Sequence, residues 1–233
     1  MAKKQQTKGQ CVFCREWFSS SGMTKHLKAC EDRERVIDRA DRSKTGTAKK
    51  NFHVRVEPLH EGSWYWLHLE VAGSAKLAEL DQYLRAIWLE CCNHLSVFLE
   101  RSPGEGGGEE SEISMDRQVI TLFEPDVEIV HIYDFGTESV TRIRVIEERK
   151  GKSLTKYPVY LMARNDPPPE RCQECGKQAE WLCMECVIEE DRTGALCAAD
   201  ADAHGHDEYP YLPVVNSPRV GMCGYTGPAE PPY

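Results

Sequence analysis

Four cysteine and histidine residues near the start of the chain have the types and spacing of zinc ligands. They are Cys11, Cys14, His26 and Cys30, in the pattern Cys-x2-Cys-x11-His-x3-Cys. A Cys-x2-Cys turn presents two thiolates together, and residues four apart lie on one face of a helix. Zinc favours four such ligands in a tetrahedron, so this spacing predicts a small zinc finger.

The segment resembles a classical two-cysteine, two-histidine finger, with cysteine in place of the last histidine and one residue fewer in the middle. Phe18 and Met23 stand where such a finger needs apolar residues for its core. The resemblance implies that the base-reading positions are Ser19, Ser21, Gly22 and Lys25. None of these is the Arg or Asn that makes a bidentate base contact, so we expect no sequence-specific DNA binding by the finger alone.

Charge is divided unevenly along the chain. Residues 1–50 contain 13 Lys and Arg against 6 Asp and Glu, although the whole chain has a net charge of −9. Such a basic segment could contact nucleic-acid phosphates without sequence specificity. The candidate contact residues are Lys25, Lys28, Arg33 and Arg35. A protein-binding surface and a solvated extension are the alternatives that the sequence leaves open.

A second set of metal-binding residue types lies near the C-terminus. The candidate ligands are Cys172, Cys175, Cys183, Cys186, Cys197, Asp200, His204 and His206, enough for two zinc ions. The segments CQECGKQAEWLC and LCAADADAHGHD resemble a B-box zinc module, a small protein-interaction domain. The resemblance implies two interleaved sites. One site would contain Cys172, Cys175, Cys197 and Asp200, and the other Cys183, Cys186, His204 and His206.

Alternatives remain open for this C-terminal set. Cys223 could replace Asp200, and the spacing between Cys186 and Cys197 is longer than is usual in a B-box. A simpler arrangement is a single site formed by the first four cysteines, with a loose remainder. Sets of four protein ligands are closed, whereas a catalytic zinc keeps a position open for water. We therefore predict structural zinc, with three ions in the chain.

The sequence also indicates the cellular compartment. Apolar runs are far shorter than the roughly 20 residues that span a bilayer, and the first ten residues lack the apolar segment of a signal peptide. We therefore expect a cytoplasmic protein without membrane contacts. Thiols stay reduced in that compartment, which favours metal binding over disulfides for the eleven cysteines.

Between the two clusters, the pattern favours an α+β core with a mostly antiparallel sheet and one packed amphipathic helix. Strands are predicted over Phe52–Glu57, Trp64–Val71, His94–Arg101, Gln118–Phe123, Glu128–Tyr133, Ser139–Glu147 and Tyr157–Ala163. Apolar residues three and four apart predict a helix from Leu77 to Cys91, capped at Gly73 and Ser74, with Cys91 on its buried face. Residues 102–112 are predicted to form a flexible acidic loop.

These patterns divide the chain into six segments. They are a finger with a basic helical extension (1–42), a linker (43–50), the core (51–163), a Pro-rich linker (164–170), a double zinc module (171–216) and a Pro/Gly-rich tail (217–233). Consecutive prolines at 167–169 can continue neither a helix nor a strand ladder, which favours a boundary there. The extension is expected to continue the helix of the finger.

The sequence YDFG at 133–136, with the helix and strands before it, resembles the plasmid pRi ORF-3-like family, also described as insertion-element passenger (TnpR-like) proteins. The resemblance covers about residues 51–163. The family usually continues the motif as YDFGD-x-W, whereas this chain continues with Thr137, Glu138, Ser139 and Val140. The resemblance implies an α+β fold and an association with mobile elements, and it implies no particular activity.

Asp134 and Gly136 suit the corner of a β-hairpin. The alternative is an acid–base or metal-dependent site that combines Asp134 with His131, His94 or His68. We expect a non-enzymatic zinc-binding adaptor with a protein partner, in which residues 1–50 could also contact nucleic acid. A protein-only scaffold without a nucleic-acid role is one alternative. A metal-assisted hydrolase or nuclease with a site near Asp134 is the alternative function.

Overall fold

The computed structural model describes residues 7–59, 64–100 and 111–233. It confirms the predicted α+β class, because a large antiparallel sheet dominates and the helices are few. Most of the predicted acidic loop at 102–112 lies outside the described residues.

Within the described residues, nine strands form the large sheet, in the order β2-β1-β9-β4-β3-β8-β7-β5-β6, and every neighbouring pair is antiparallel. The strands are β1 (Lys8–Cys11), β2 (Trp17–Ser19), β3 (Lys49–Pro58), β4 (Leu67–Ala72), β5 (Ser96–Glu100), β6 (Ser111–Ile113), β7 (Glu128–Tyr133), β8 (Ser139–Gly151) and β9 (Val159–Asn165). The two strands of the N-terminal finger are therefore continuous with the sheet of the core, through the pairing of β1 with β9.

One face of the sheet is covered by α3 (Leu77–Leu84) and the π-helical turn Arg85–Leu89 that follows it. Alternating apolar residues of the central strands point to this helix, as in Phe52, Val54 and Val56 of β3, and all three are fully buried. This alternation of period two is what places one row of side chains in a single core.

The opposite face is covered by the finger. Its helix α1 (Ser20–Leu27) and the next helix α2 (Glu31–Arg42) lie against the polar row of the central strands. Arg33 of α2 is buried, and its guanidinium donates to Glu147 of β8 at 2.9 Å and to the Leu27 carbonyl at 2.8 Å. This ion pair fixes α2 on the sheet.

The C-terminal module has a small sheet of its own. Its strands, in the order β11-β10-β12, are β10 (Trp181–Cys183), β11 (Ala195–Leu196) and β12 (Tyr211–Pro213). Two short helices, α4 (Met184–Ile188) and α5 (Ala198–Ala203), each begin directly after a cysteine.

The predicted strand at Gln118–Phe123 is wrong. This segment contains a 3₁₀ turn, Val119–Thr121, in which the Thr121 amide bonds to the Gln118 carbonyl at 3.0 Å. Val119 and Phe123 are both buried while Ile120 is exposed. Val119 and Phe123 are four residues apart, which suits a helical turn, whereas the β-branched residues between Gln118 and Phe123 favour a strand.

Helix and strand ends also differ from the predictions. The core helix begins at Leu77 after Lys76, whose amide donates to the Glu79 carboxylate at 2.9 Å, and Gly73 and Ser74 do not cap it. The predicted helical extension of the finger is a separate helix, α2. Cys30 has extended backbone angles (φ −76, ψ 109), so α1 does not continue into α2. In the part of the chain that is described, no helix is both long enough and apolar enough to cross a bilayer.

Four candidate metal centres

The described residues contain four groups of Cys, His and Asp side chains that could each hold a metal ion. In each group the four ligand atoms lie within 4.8 Å of one another. The groups are Cys11–Cys14–His26–Cys30, Cys172–Cys175–Cys197–Asp200, Cys183–Cys186–His204–His206 and Cys91–Cys92–His94–Cys223. All eleven cysteines of the sequence belong to one of these groups.

The N-terminal group (Cys11, Cys14, His26 and Cys30) is assembled by a hairpin and two helix ends. Cys11 ends β1, and the turn after it is closed by the Arg15 amide on the Cys11 carbonyl at 2.9 Å. His26 comes from the last turn of α1, and its Nε2 lies 3.2 Å from the Cys14 sulfur. The Phe18 ring stacks on His26 with ring centroids 4.0 Å apart, which fixes the imidazole orientation.

This N-terminal group sits on an apolar cluster that it shares with the large sheet. Met23 and Leu27 of the finger are buried against Trp66 and Met162. Gly9 permits the contact, because a Cβ there would lie 1.9 Å from the Arg164 carbonyl oxygen and 2.5 Å from the Trp66 ring. The sequence indicated the finger's own part of this core, Phe18 and Met23, but not the part that Trp66, Met162 and Ala163 of the large sheet and its neighbouring residues supply.

Burial disfavours the thiolate form of Cys11, one of the finger's candidate ligands. It raises the pKa of the Cys11 thiol to about 12, because the thiolate is poorly solvated there. A cation at the centre of the group would supply the missing stabilisation of the thiolate, as metal binding does for protein thiols.

The first C-terminal group joins two short turns. Cys172 and Cys175 flank a tight turn, closed by the Gly176 amide on the Cys172 carbonyl at 2.9 Å. One Asp200 oxygen lies 3.0 Å from the Cys172 sulfur and 3.1 Å from the Cys197 sulfur. Contacts with the thiols of Cys175, Cys172 and Cys197 lower the pKa of Asp200 to about 2, so its carboxylate is an anion at neutral pH.

The second C-terminal group combines Cys183, which precedes α4, and Cys186 within α4 with two histidines after α5. The Cys186 sulfur lies 3.0 Å from His204 Nε2, and the Cys183 sulfur lies 3.4 Å from His206 Nδ1. Glu190 lies behind His206, with a carboxylate oxygen 3.7 Å from Nε2. A carboxylate behind a ligating histidine orients the ring and strengthens it as a donor.

The two C-terminal groups interleave as the B-box resemblance implies. Gln173, inside the first knuckle, reaches the second group with its amide nitrogen 3.5 Å from the Cys186 sulfur. Its amide oxygen accepts from the Gly194 amide at 3.0 Å. Asp200 and not Cys223 completes the first group, which removes one alternative left open by the sequence.

The fourth group (Cys91, Cys92, His94 and Cys223) was missed by sequence reasoning. Cys91 was expected in the core, but its sulfur lies only 3.7 Å from that of Cys92. It is half-buried and packs at the edge of the core while also facing this group. Vicinal cysteines followed by a histidine two residues on were the available signal, and the remaining member lies 129 residues further along the chain from His94.

Asp134 forms the predicted hairpin corner. Its Oδ1 accepts from the Gly136 amide at 2.9 Å, and its Oδ2 binds the buried guanidinium of Arg219. His131 points elsewhere and lies 2.8 Å from Asp81 of α3. His68 contacts His53 at 2.8 Å under the finger. Of the three histidines considered with Asp134, only His94 lies near it, at 3.4 Å.

Comparisons with known proteins give little further guidance. No protein-family model matches the chain, and no curated protein matches it. The crystal structure of a protein of unknown function, MM3350 from Methanosarcina mazei Go1, is similar with a TM-score of 0.40 and 18% identity, over 48% of this chain and 67% of that chain.

Proposed function

We propose that this protein is a non-enzymatic zinc-binding adaptor, in which three zinc ions hold the finger and the C-terminal module in shape for binding a protein partner. The main support for the proposal is that each ligand group is complete. Four side chains converge at each of the three predicted centres, so every position of a tetrahedron is taken by the protein.

The distances support zinc as the metal. The Cys175 and Cys197 sulfurs are 3.7 Å apart, and a tetrahedron with zinc–sulfur bonds of about 2.3 Å has an edge of about 3.8 Å. A disulfide would bring the sulfurs to about 2.05 Å. Thiolate and imidazole donors also favour zinc over the harder magnesium and calcium ions.

A protein partner is favoured by what the modules expose. Trp181 and Ile188 of the C-terminal module and Trp17 of the finger are large apolar side chains with 38%, 55% and 49% of their surface exposed. A partner that covered them would gain apolar burial. The B-box resemblance implies the same kind of role.

Nucleic-acid contact has weaker support. Arg33 is buried in its ion pair with Glu147, so it is not available to a phosphate. Arg35 is exposed but paired with Asp32 at 2.6 Å and with Glu31. Lys25 and Lys28 are exposed and remain the candidates for a non-specific contact.

The hydrolase alternative is also less well supported. A catalytic carboxylate must be available to a substrate or metal. Both oxygens of Asp134 are engaged inside the protein, and 4% of this residue is exposed. A structural role at the hairpin corner accounts for these contacts.

The cellular setting is part of the proposal. We infer a cytoplasmic location, because eleven cysteines arranged as metal ligands need a reducing environment to stay available. A role in a mobile-element or defence context rests on the pRi ORF-3-like resemblance alone and stays a prediction.

Cobalt substitution tests whether the centres are closed. Cobalt in the full chain should give the intense absorption of tetrahedral thiolate coordination, and added azide should leave it unchanged. A spectral shift on adding azide would mean that at least one centre has an open position, and it would contradict the structural assignment.

Salt-dependent binding tests the nucleic-acid part separately. Deleting residues 1–50 would remove β1 and the finger ligands, so charge variants are the better tool. We expect Lys25→Gln with Lys28→Gln to weaken any binding of double-stranded DNA and to flatten its salt dependence, with Lys150→Gln and Lys156→Gln as the exposed control pair. Equal binding by the two double variants would remove the nucleic-acid role of this segment.

A further inference from the structure

The chain after the C-terminal module returns to the core and packs into it. Ser217 is buried and donates to the Trp88 carbonyl at 2.5 Å. Arg219 is fully buried, and it donates to the Thr137 carbonyl at 2.9 Å and to the Ser139 hydroxyl at 2.8 Å. Tyr225 is also buried. The predicted tail therefore has a fixed path across the end of the core.

The same stretch also contacts the C-terminal module. Val214 and Val220 pack against the apolar cluster that contains Ala179 and Leu182. Arg219, the residue before Val220, is fully buried against the core. This stretch is thus a structural link between the module and the core, and Cys223 lies three residues after Val220.

At Cys223 the tail meets the loop that follows the π-helical turn. The Cys223 sulfur lies 3.7 Å from that of Cys92 and 3.3 Å from His94 Nε2. The Cys92 sulfur lies 2.9 Å from the same nitrogen. The Cys91 sulfur completes the set, 3.7 Å from Cys92. The sulfur–sulfur separations equal the 3.7 Å between Cys175 and Cys197, and the two sulfur–nitrogen separations are close to the 3.0 to 3.6 Å found in the other groups.

We propose that Cys91, Cys92, His94 and Cys223 bind a fourth zinc ion, which fastens the C-terminal tail to the core. Three thiolates and one imidazole are a closed tetrahedral donor set for zinc. Binding releases the three thiol protons to solvent. The ion closes a loop of chain between Cys92 and Cys223 that contains the whole C-terminal module.

The surroundings suit the charge of such a centre. Zinc with three thiolates and a neutral imidazole has a net charge of −1. The fully buried Arg219 guanidinium donates to the Cys91 sulfur at 3.5 Å and also pairs with Asp134, whose Oδ2 lies 3.4 Å from His94 Nε2. The arginine therefore stabilises a thiolate at Cys91 and offsets the charge of the neighbouring carboxylate. Tyr133 fixes the loop from the other side, because its hydroxyl accepts from the backbone amides of Cys91 and His94 at 3.4 and 3.3 Å.

A disulfide explains this arrangement less well. The sulfur pairs are at 3.7 Å, well beyond the disulfide bond length of about 2.05 Å. A disulfide between Cys92 and Cys223 would also leave unexplained why His94 Nε2 lies close to both sulfurs. Cys92 and Cys223 are exposed, so we expect this zinc ion to leave for a chelator before the other three.

The test compares the zinc content and tail protection of four full-length proteins. They are the wild type, Cys223→Ser, Cys92→Ser and the control Met222→Ser, which changes an exposed neighbour outside the ligand set. Native mass spectrometry under reducing conditions should show four zinc ions in the wild type and the control, and three in each cysteine variant. Hydrogen exchange at residues 217–225 should accelerate in both cysteine variants and not in the control.

Two results would overturn the proposal. One is an equal zinc count in the wild type and both cysteine variants, with Cys91, Cys92 and Cys223 alkylated in the native protein. The other is a wild-type mass that shows a disulfide among these three residues. Since the proposed function needs only the other three ions, a count of three in every protein would refute the fourth site and leave the adaptor proposal intact.

Discussion

The N-terminal finger and the C-terminal module have similar types of candidate metal ligands, but the apolar residues that pack around those ligands differ. The finger places its single candidate centre on an apolar cluster built jointly with the sheet, around the fully buried Trp66. In the C-terminal module, the cluster around the ligands consists mainly of the cysteines themselves with Leu196. The module has a further apolar cluster, which contains Ala179 and Leu182, but both of its clusters consist of residues 172–220 alone. We therefore expect the finger to be held by packing against the sheet as well as by its candidate metal, and the module to depend more on metal.

The difference shows how a metal and a core can substitute for each other. Small domains bury too little apolar surface to offset the loss of chain entropy, so they need an additional source of stability. The finger obtains apolar surface from the sheet through β1 and β9. The module has its own three-stranded sheet, and we expect metal ions at its two interleaved candidate centres to supply the remaining constraint.

The largest effect should follow from removing a buried ligand of the module. Cys183→Ser should unfold much of the segment 171–213, because structural zinc contributes on the order of 10 kcal/mol or more in small domains. Hydrogen exchange should lose its protection there and keep it in β3 and β8. Glu180→Ser, at an exposed position of the same module, is the control. Retained protection at 171–213 in the Cys183 variant would contradict the dependence on metal.

A smaller but substantial effect should follow from removing the packing beneath the finger. Trp66→Ala should lower the free energy of unfolding by about 3–5 kcal/mol, since it leaves a large cavity between the finger and the sheet. Denaturant unfolding measures this loss, and the exposed Trp17 gives the control Trp17→Ala. Equal stabilities of the two variants would mean that the shared core does not stabilise the finger.

The ion pair that fixes α2 should contribute less. His53 and Arg33 lower the pKa of Glu147 to about 2, from an ordinary value of 4.5. A lowered carboxyl pKa stabilises the fold above pH 4.5, and the contribution disappears as the pH falls toward 2. Glu147→Gln should therefore cost about 1–3 kcal/mol at neutral pH, because a partly buried charge pair is lost.

Urea unfolding of Glu147→Gln and of the neighbouring Glu148→Gln gives the comparison. Glu148 forms an exposed pair with Lys50, which is worth at most about 1 kcal/mol. The stability difference between Glu147→Gln and the wild type should shrink as the pH is lowered below 4.5. A difference that grows in acid would show that the sign of the pKa shift is wrong.

The smallest effect concerns the link between the two centres of the module. Gln173→Ala removes the side chain that contacts Cys186 and Gly194, and we expect a loss of about 1 kcal/mol with faster zinc transfer to a chelator. Gln178→Ala, at an exposed glutamine of the same module, should transfer zinc at the wild-type rate. Identical rates for both variants would show that the centres release metal independently of Gln173.

The features that could be predicted from the sequence are those with local causes. The spacing of Cys11, Cys14, His26 and Cys30 lies within one short segment, and so does the apolar alternation of β3. The interleaving of the C-terminal groups could be predicted only through the B-box resemblance. The α+β class followed from the order of such segments.

The missed features depend on contacts between distant segments. Nothing local to β1 indicates that it pairs with β9, about 150 residues away. Cys223 likewise meets Cys92 from 131 residues away, and the path of the tail is set by the burial of Arg219. At Val119–Thr121, β-branched residues favoured a strand, but the burial of Val119 and Phe123 in the core decides the local structure.

Zinc stoichiometry of the intact chain tests the central claim most directly. Native mass spectrometry of the full-length protein, purified with reductant, should show at least three tightly bound zinc ions, with the fourth lost first to a chelator. The cysteines of the three terminal groups should resist alkylation until those ions are removed. A folded chain that carries one zinc ion or none, with protection at 171–213 intact, would contradict the account.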